Sequence, residues 1–289
     1  MKVLVESASE IAYGNGAGEE LSRPSGPVSF SAHRFDAVEG WTEVDDAVTS
    51  EAPLTVYVNG SEFATVVCSP WEIEYMAVGF LCSEGIVRRR DALGDLVIDR
   101  DKGIVQAQVE GFEESAASKL FLKRYINSCC GRSRASFYYS TDAMLCKRVE
   151  SDASITPERA LSLMDAVMSG SAEFRHTGGV HSGLVADASH VLSFHEDIGR
   201  NNVLDRIYGQ CFLENVDLAD KVIAFSGRVS SEIVLKMSKM GVPILISHAA
   251  PTSLGLELAE DLGITVIAFV RGSRLTVYTH PERVCAVEQ

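Results

Sequence analysis

The residue best suited to covalent chemistry is Cys130. It lies in the stretch from Lys119 to Arg134, behind Asn127, Ser128 and Cys129 and ahead of Gly131, Arg132 and Ser133. From residue 116 to residue 140 the chain carries five Lys or Arg and no Asp or Glu. Nearby cations favour thiolate over thiol and can bring a cysteine pKa from about 8.5 down to roughly 3.5–7.5. A thiolate is the nucleophile that attacks sulfur. Gly131 with its Ser and Asn neighbours argues for a loop, where such a group can be reached. The plainer reading is a structural cysteine in a basic surface loop, and composition alone leaves both open. A bridge between the adjacent Cys129 and Cys130 would close a strained ring.

A second set of residues could hold a ligand. Three apolar strands end in Ser226-Gly227-Arg228, in Ser247-His248-Ala249 and in Phe269-Val270-Arg271-Gly272-Ser273-Arg274. Two of these ends run into helix starts, whose unpaired backbone N–H groups attract anions. Arginine adds bidentate recognition of phosphate, and glycine permits close backbone approach. Ser226, Gly227, Arg228, His248 and the run from Phe269 to Arg274 therefore suit a phosphate-bearing ligand. Taken singly, each arginine could equally be an ordinary loop charge. Two further polar runs are Arg175-His176-Thr177-Gly178-Gly179-Val180-His181-Ser182 and His195-Glu196-Asp197-Ile198-Gly199-Arg200-Asn201-Asn202. They could orient a ligand or move protons. Equally, Glu196 or Asp197 could cap the next helix, and the histidines could be hydrogen-bonded core residues. Their spacing matches no recurring metal-ligand pattern, so no metal site is expected.

The elements that must position these groups read as α/β. Residues 1–28, rich in Gly, Glu and Ser, suggest a flexible tail. Residues 29–112 suggest a small α+β unit. Its first hairpin has strands Leu54–Val58 and Phe63–Val67 about an Asn59-Gly60 turn. Its helix starts with Ser69 as cap, Pro70 at the first position and Glu72 completing a capping box, and stops at Gly85. A second hairpin turns at Asp101-Lys102-Gly103. Residues 113–289 suggest a larger α/β domain. A helix opens at Thr156-Pro157, two strands follow near 180–186 and 190–195, and a helix carries Val203, Leu204, Ile207, Tyr208 and Cys211 on one face. The last part alternates strand, helix, strand, helix, strand. Its strands are continuously apolar, the pattern of a parallel sheet covered on both faces.

Composition narrows the function. The chain has 289 residues, 46% hydrophobic and 23% charged, with a formal net charge of −14, which disfavours general binding to nucleic acid or anionic membranes. No apolar run approaches the length of a membrane span, and the N-terminus lacks the pattern of a secretion signal. A cytoplasmic location follows as the expectation, with the seven cysteines reduced. Cys68 and Cys211 fit apolar core positions.

Taken together these motifs resemble one family, the formate dehydrogenase accessory sulfurtransferases, or FdhD family. The matching stretches are Thr177-Gly178-Gly179-Val180-His181, Glu196 to Asn202, Ser226 to Glu232, Ala250-Pro251-Thr252, and Phe269 to Arg274 leading into Val277 to Arg283. The resemblance implies a sulfur carrier. It would take persulfide sulfur from a cysteine desulfurase and pass it to the bis-molybdopterin guanine dinucleotide molybdenum cofactor that formate dehydrogenase requires. It further implies a cytidine-deaminase-like three-layer α/β/α domain, a homodimer, a persulfide on Cys130, and cofactor binding near Phe269–Arg274, where a guanine nucleotide such as GDP can sit. The family's second motif cysteine falls on Ser133, which puts a two-thiol relay in doubt. The implied fold also raises a zinc nucleoside deaminase, but those enzymes need H-x-E and P-C-x-x-C. Here His181 is followed by Ser182-Gly183, and no P-C-x-x-C exists.

Overall fold

The computed structural model describes residues 3–6, 26–112, 125–126 and 146–285. Cys129, Cys130 and Ser133 lie outside the described residues. The first sheet has the order β1-β6-β7-β4-β5-β8. Its members are β1 (Val3–Glu6), β4 (Ala52–Val58), β5 (Ser61–Cys68), β6 (Leu93–Asp99), β7 (Ile104–Val109) and β8 (Tyr125–Ile126). Asn59 and Gly60 join β4 to β5 with φ of 51° and 84°. Both are left-handed, as the tight turn between twisted strands demands. Helix α1 (Ile73–Ser83) buries Met76, Ala77, Phe80 and Leu81 among Val56, Val66, Ile98 and Val105 of this sheet.

Three features depart from expectation. Val3–Glu6 pairs in parallel with β6, so the segment read as a flexible tail supplies a strand to the sheet. The capping box at Ser69–Glu72 does not form: α1 starts at Ile73, behind a Glu72 held at φ 45°. Ser69 instead donates its N–H to Asp197 and accepts from the Ile198 N–H, while the Glu72 carboxylate meets His195. Long-range partners win over the local cap. Finally, β2 (Val28–Asp36) and β3 (Gly40–Val48) form a separate two-stranded ribbon.

The second sheet has the order β10-β9-β11-β12-β13-β14, built from β9 (His181–Ala186), β10 (Val191–Asp197), β11 (Val222–Phe225), β12 (Ile244–Ser247), β13 (Thr265–Arg271) and β14 (Arg274–Thr279). The three central strands β11, β12 and β13 are parallel, and β9 and β14 flank them antiparallel. Side chains alternate between faces. Leu184, Ala224, Ile246 and Ile267 meet α2 (Pro157–Gly170) on one face. Val185, Ile223, Phe225 and Leu245 meet α4 (Arg200–Glu214) and α5 (Ser231–Met240) on the other. Short α3 (Ala172–Thr177) follows α2, and α6 (Ser253–Asp261) follows β12. Thr156 caps α2 through the Arg159 N–H, with Pro157 at its first position. Gly241, at φ 76°, ends α5.

The two sheets are joined where α1 crosses α4. A Cβ on Gly79 would lie 1.6 Å from the Asp205 carbonyl oxygen, and one on Gly209 would lie 1.9 Å from that of Tyr75. The backbones therefore touch, and only glycine fits either position. Among the described residues no helix is long and apolar enough to cross a membrane.

Candidate functional site

The ends of β11, β12 and β13 converge. Ser247 Oγ donates to the Gly227 carbonyl at 2.7 Å, and the His248 N–H to the Phe225 carbonyl at 3.2 Å. The Phe269 N–H donates to Ala249, and Arg271 Nε to the His248 carbonyl at 3.2 Å. These bonds set Ser226, Gly227, His248, Phe269 and Arg271 along one rim. Arg228 is exposed beside them. Phe269 adopts φ 52°, a left-handed conformation that costs a non-glycine residue about 1–2 kcal/mol. Its ring stays 39% exposed, with the Arg271 guanidinium 5.7 Å from its centroid. A displayed ring under a cation is a surface on which a base can stack.

The run from Phe269 to Arg274 is a hairpin. Phe269, Val270 and Arg271 complete β13, Gly272 (φ 55°) and Ser273 turn, and Arg274 opens β14 opposite Arg271. Alternation then decides which side chains face solvent. Phe269, Arg271 and Arg274 are exposed, whereas Val270 is 1% exposed and packs in the core. The Val270 side chain therefore cannot touch a ligand.

Beside the rim opens a cavity of about 280 Å³, lined by Met168, Ser171, Phe174 and Gly178–Ser182 together with Ser226 and His248. Two of these residues, Ser226 and His248, were read from the strand ends. Of the others, Gly178 to His181 belong to the Thr177–His181 motif, which had no definite role from sequence, while Met168, Ser171 and Phe174 come from α2, the junction between α2 and α3, and α3. His181 Nδ1 lies 3.1 Å from Ser226 Oγ, which also accepts the Ser182 N–H. Burial, reinforced by Arg200 and Arg228, pushes the His181 pKa down, so a neutral imidazole faces the cavity. His248 is shifted the same way by burial and by Arg271. Burial raises the Glu196 carboxyl, with the Glu173 charge adding to it against the hydrogen bond from Ser171. Arg200 reaches this region because Gly227 makes room. A Cβ there would lie 2.8 Å from Arg200 Cβ.

Other parts of the Glu196–Asn202 motif are architectural. Asp197 and Arg206 are wholly buried, with Oδ2 to Nη2 at 2.6 Å. Arg206 also donates to the Ser69, Trp71 and Glu72 carbonyls. Asn202 bridges Asp197 and the Val67 carbonyl. His195 is buried between Glu72 and Gln210, 2.7 Å from each, the core histidine of the plainer reading. Among the described cysteines, Cys68, Cys82 and Cys211 are buried, and burial pushes the Cys211 thiol up to about 12. The Cys211 thiol therefore stays protonated and unreactive. Cys285 is exposed.

A mixed α/β sheet whose central strand ends gather arginine, histidine and glycine beside a cavity places the chain in the class of α/β proteins in which ligands generally bind at the strand tips. The chain belongs to the FdhD/NarQ family, whose model matches residues 49–285. It is 45% identical over 243 residues to the sulfur carrier protein FdhD of Bacillus subtilis, covering 84% of this chain and 92% of that one. The sulfur carrier protein FdhD of Staphylococcus haemolyticus is 41% identical over 251 residues, covering 85% and 92% respectively. A Desulfotalea psychrophila crystal structure, described as a formate dehydrogenase accessory protein, superimposes with a TM-score of 0.73. The match covers 90% of this chain and 99% of that one at 22% identity, and so speaks to the fold.

Proposed function

We propose that this protein carries persulfide sulfur from a cysteine desulfurase to the bis-molybdopterin guanine dinucleotide cofactor destined for formate dehydrogenase. The observation that supports it is the convergence of Ser226, Gly227, Arg228, His248, Phe269, Arg271 and Arg274 near one rim, in a chain whose relatives are named sulfur carriers. The cofactor, here a substrate, carries phosphates and purines. Arg228, Arg271 and Arg274 suit the phosphates, and Phe269 or His248 suits a guanine, so GDP should occupy the same rim. Cys130 is the carrier. Its thiolate attacks the terminal sulfur of the donor's persulfide, the donor's S–S bond breaks, the donor leaves as thiolate, and Cys130 holds the sulfur for delivery. A reducing cytoplasm and a homodimer complete the reading. The three layers about central parallel strands are consistent with a cytidine-deaminase-like domain.

Ser133 in place of a second motif cysteine favours one alternative, a chaperone that delivers the cofactor without carrying sulfur. Mass spectrometry after incubation with a cysteine desulfurase and cysteine separates the two. The carrier gains one sulfur on Cys130, retained in Cys285→Ser and lost in Cys130→Ser. If Cys130→Ser still activates formate dehydrogenase in cells, the chaperone reading replaces the carrier.

A further inference from the structure

The β2–β3 ribbon pairs with no further strand among the described residues, and a lone two-stranded ribbon is at best marginally stable in water. At its far end Phe35 and Trp41 pair across the strands with ring centroids 5.2 Å apart. They are 60% and 72% exposed, and Val38 in the turn is 93% exposed. The turn is pre-shaped, because Asp36 Oδ1 accepts the N–H groups of Val38 and Glu39. Asp36, Glu39 and Glu43 lie near the tip and are exposed, while the neighbouring Arg34 is paired with Asp46. Rigid aromatic groups displayed in this way are typical interface anchors.

The same chain carries a surface of opposite character. Beyond α1 a groove of about 640 Å³ is floored by Ile86, Ala92 and Phe112, with Arg88 and Arg89 on its wall. Arg88, Arg89 and Arg90 are exposed and form the one run of three basic residues among the described segments. Acids are present too: Asp91 pairs with Arg89, and Glu110 lines the groove.

We infer that the acid-flanked aromatic tip of one copy seats in the arginine-walled groove of a second copy. Two molecules of net charge −14 repel over most of their surfaces, so association selects faces where the local sign reverses. The tip supplies exposed carboxylates beside an apolar knob, and the groove supplies apolar side chains beside the Arg88 and Arg89 guanidinium groups. The ribbon also ends next to the cavity. Thr49, just past β3, has its methyl 2.5 Å from where a Gly179 Cβ would stand, so docking at the tip is anchored at the site. This interface rests on the homodimer reading above.

Sedimentation equilibrium of the full chain tests it. The tip variant joins Val38→Asp to Trp41→Ala, and the groove variant joins Arg88→Glu to Arg89→Glu. Wild type should be a dimer, and each variant should dimerise at least about tenfold more weakly with an unchanged circular dichroism spectrum and melting point. An equimolar mixture of the two variants should regain dimer, because one intact tip then meets one intact groove. Variants that dimerise like wild type overturn this interface and leave the homodimer standing. A mixture that stays monomeric overturns tip-to-groove docking, and a monomeric wild type removes both readings.

Discussion

At the scale of single residues, the rim separates binding from stability. Arg271 is exposed and makes one backbone hydrogen bond, to His248, so its loss should barely disturb folding. Arg271→Ala should weaken GDP binding at least about tenfold, the worth of one charge-assisted contact, with the melting point unchanged. Calorimetric titration beside a thermal melt decides, and equal affinity with intact folding would remove the ligand from this rim. Glu196 predicts the opposite pattern. Burial and Glu173 hold its carboxyl above the ordinary range, so the folded protein keeps that proton to higher pH than the unfolded chain does. The stability this contributes is present below the unfolded pKa and is lost as pH rises through the folded one. Glu196→Gln should therefore melt above wild type at about pH 8, and the gap should close towards about pH 4. A gap that ignores pH would contradict the assignment.

At the scale of elements, what could be read locally came through and what depends on partners did not. The apolar runs at Val222–Phe225 and Ile244–Ile246 announced buried parallel strands, and the position of Ser226 and His248 just beyond their carboxyl ends followed from that. The cavity did not follow, because Met168, Gly179 and Ser226 are adjacent only after α2, β9 and β11 pack. Val270 was grouped with its neighbours as part of an arginine-bearing strand end, and strand alternation turns its side chain inward. The start of α1 was misplaced because Ser69 and Glu72 satisfy Asp197 and His195, more than 120 positions away. The two glycines at the crossing of α1 and α4 likewise look unremarkable in sequence. Gly209→Ala would force its methyl against the Tyr75 carbonyl, a backbone clash costing more than about 3 kcal/mol. Gly241→Ala meets open space but keeps a left-handed φ, at about 1 kcal/mol. Urea melts of the two variants should rank in that order, and a mild Gly209→Ala would mean the helices slide apart easily.

At the scale of the whole molecule, the sequence suggests a small unit and a large one, and the structure packs them tightly against each other where α1 crosses α4. Polar interfaces between units usually permit relative motion. This junction instead buries an ion pair that no solvent reaches. Arg206 on α4 holds Asp197 of the second sheet and three carbonyls at the start of α1, while Lys236 on α5 holds Asp205, which also accepts from Ser83 on α1. Calorimetry should accordingly show one unfolding transition for the full chain. Arg206→Met leaves the Asp197 charge buried and unpaired, which should cost roughly 3–5 kcal/mol. Adding Asp197→Asn removes that stranded charge and should recover part of the loss, the non-additivity expected of groups in direct contact. Strictly additive single losses, or a wild type that melts in two steps, would show that the units are held by the glycine crossing alone.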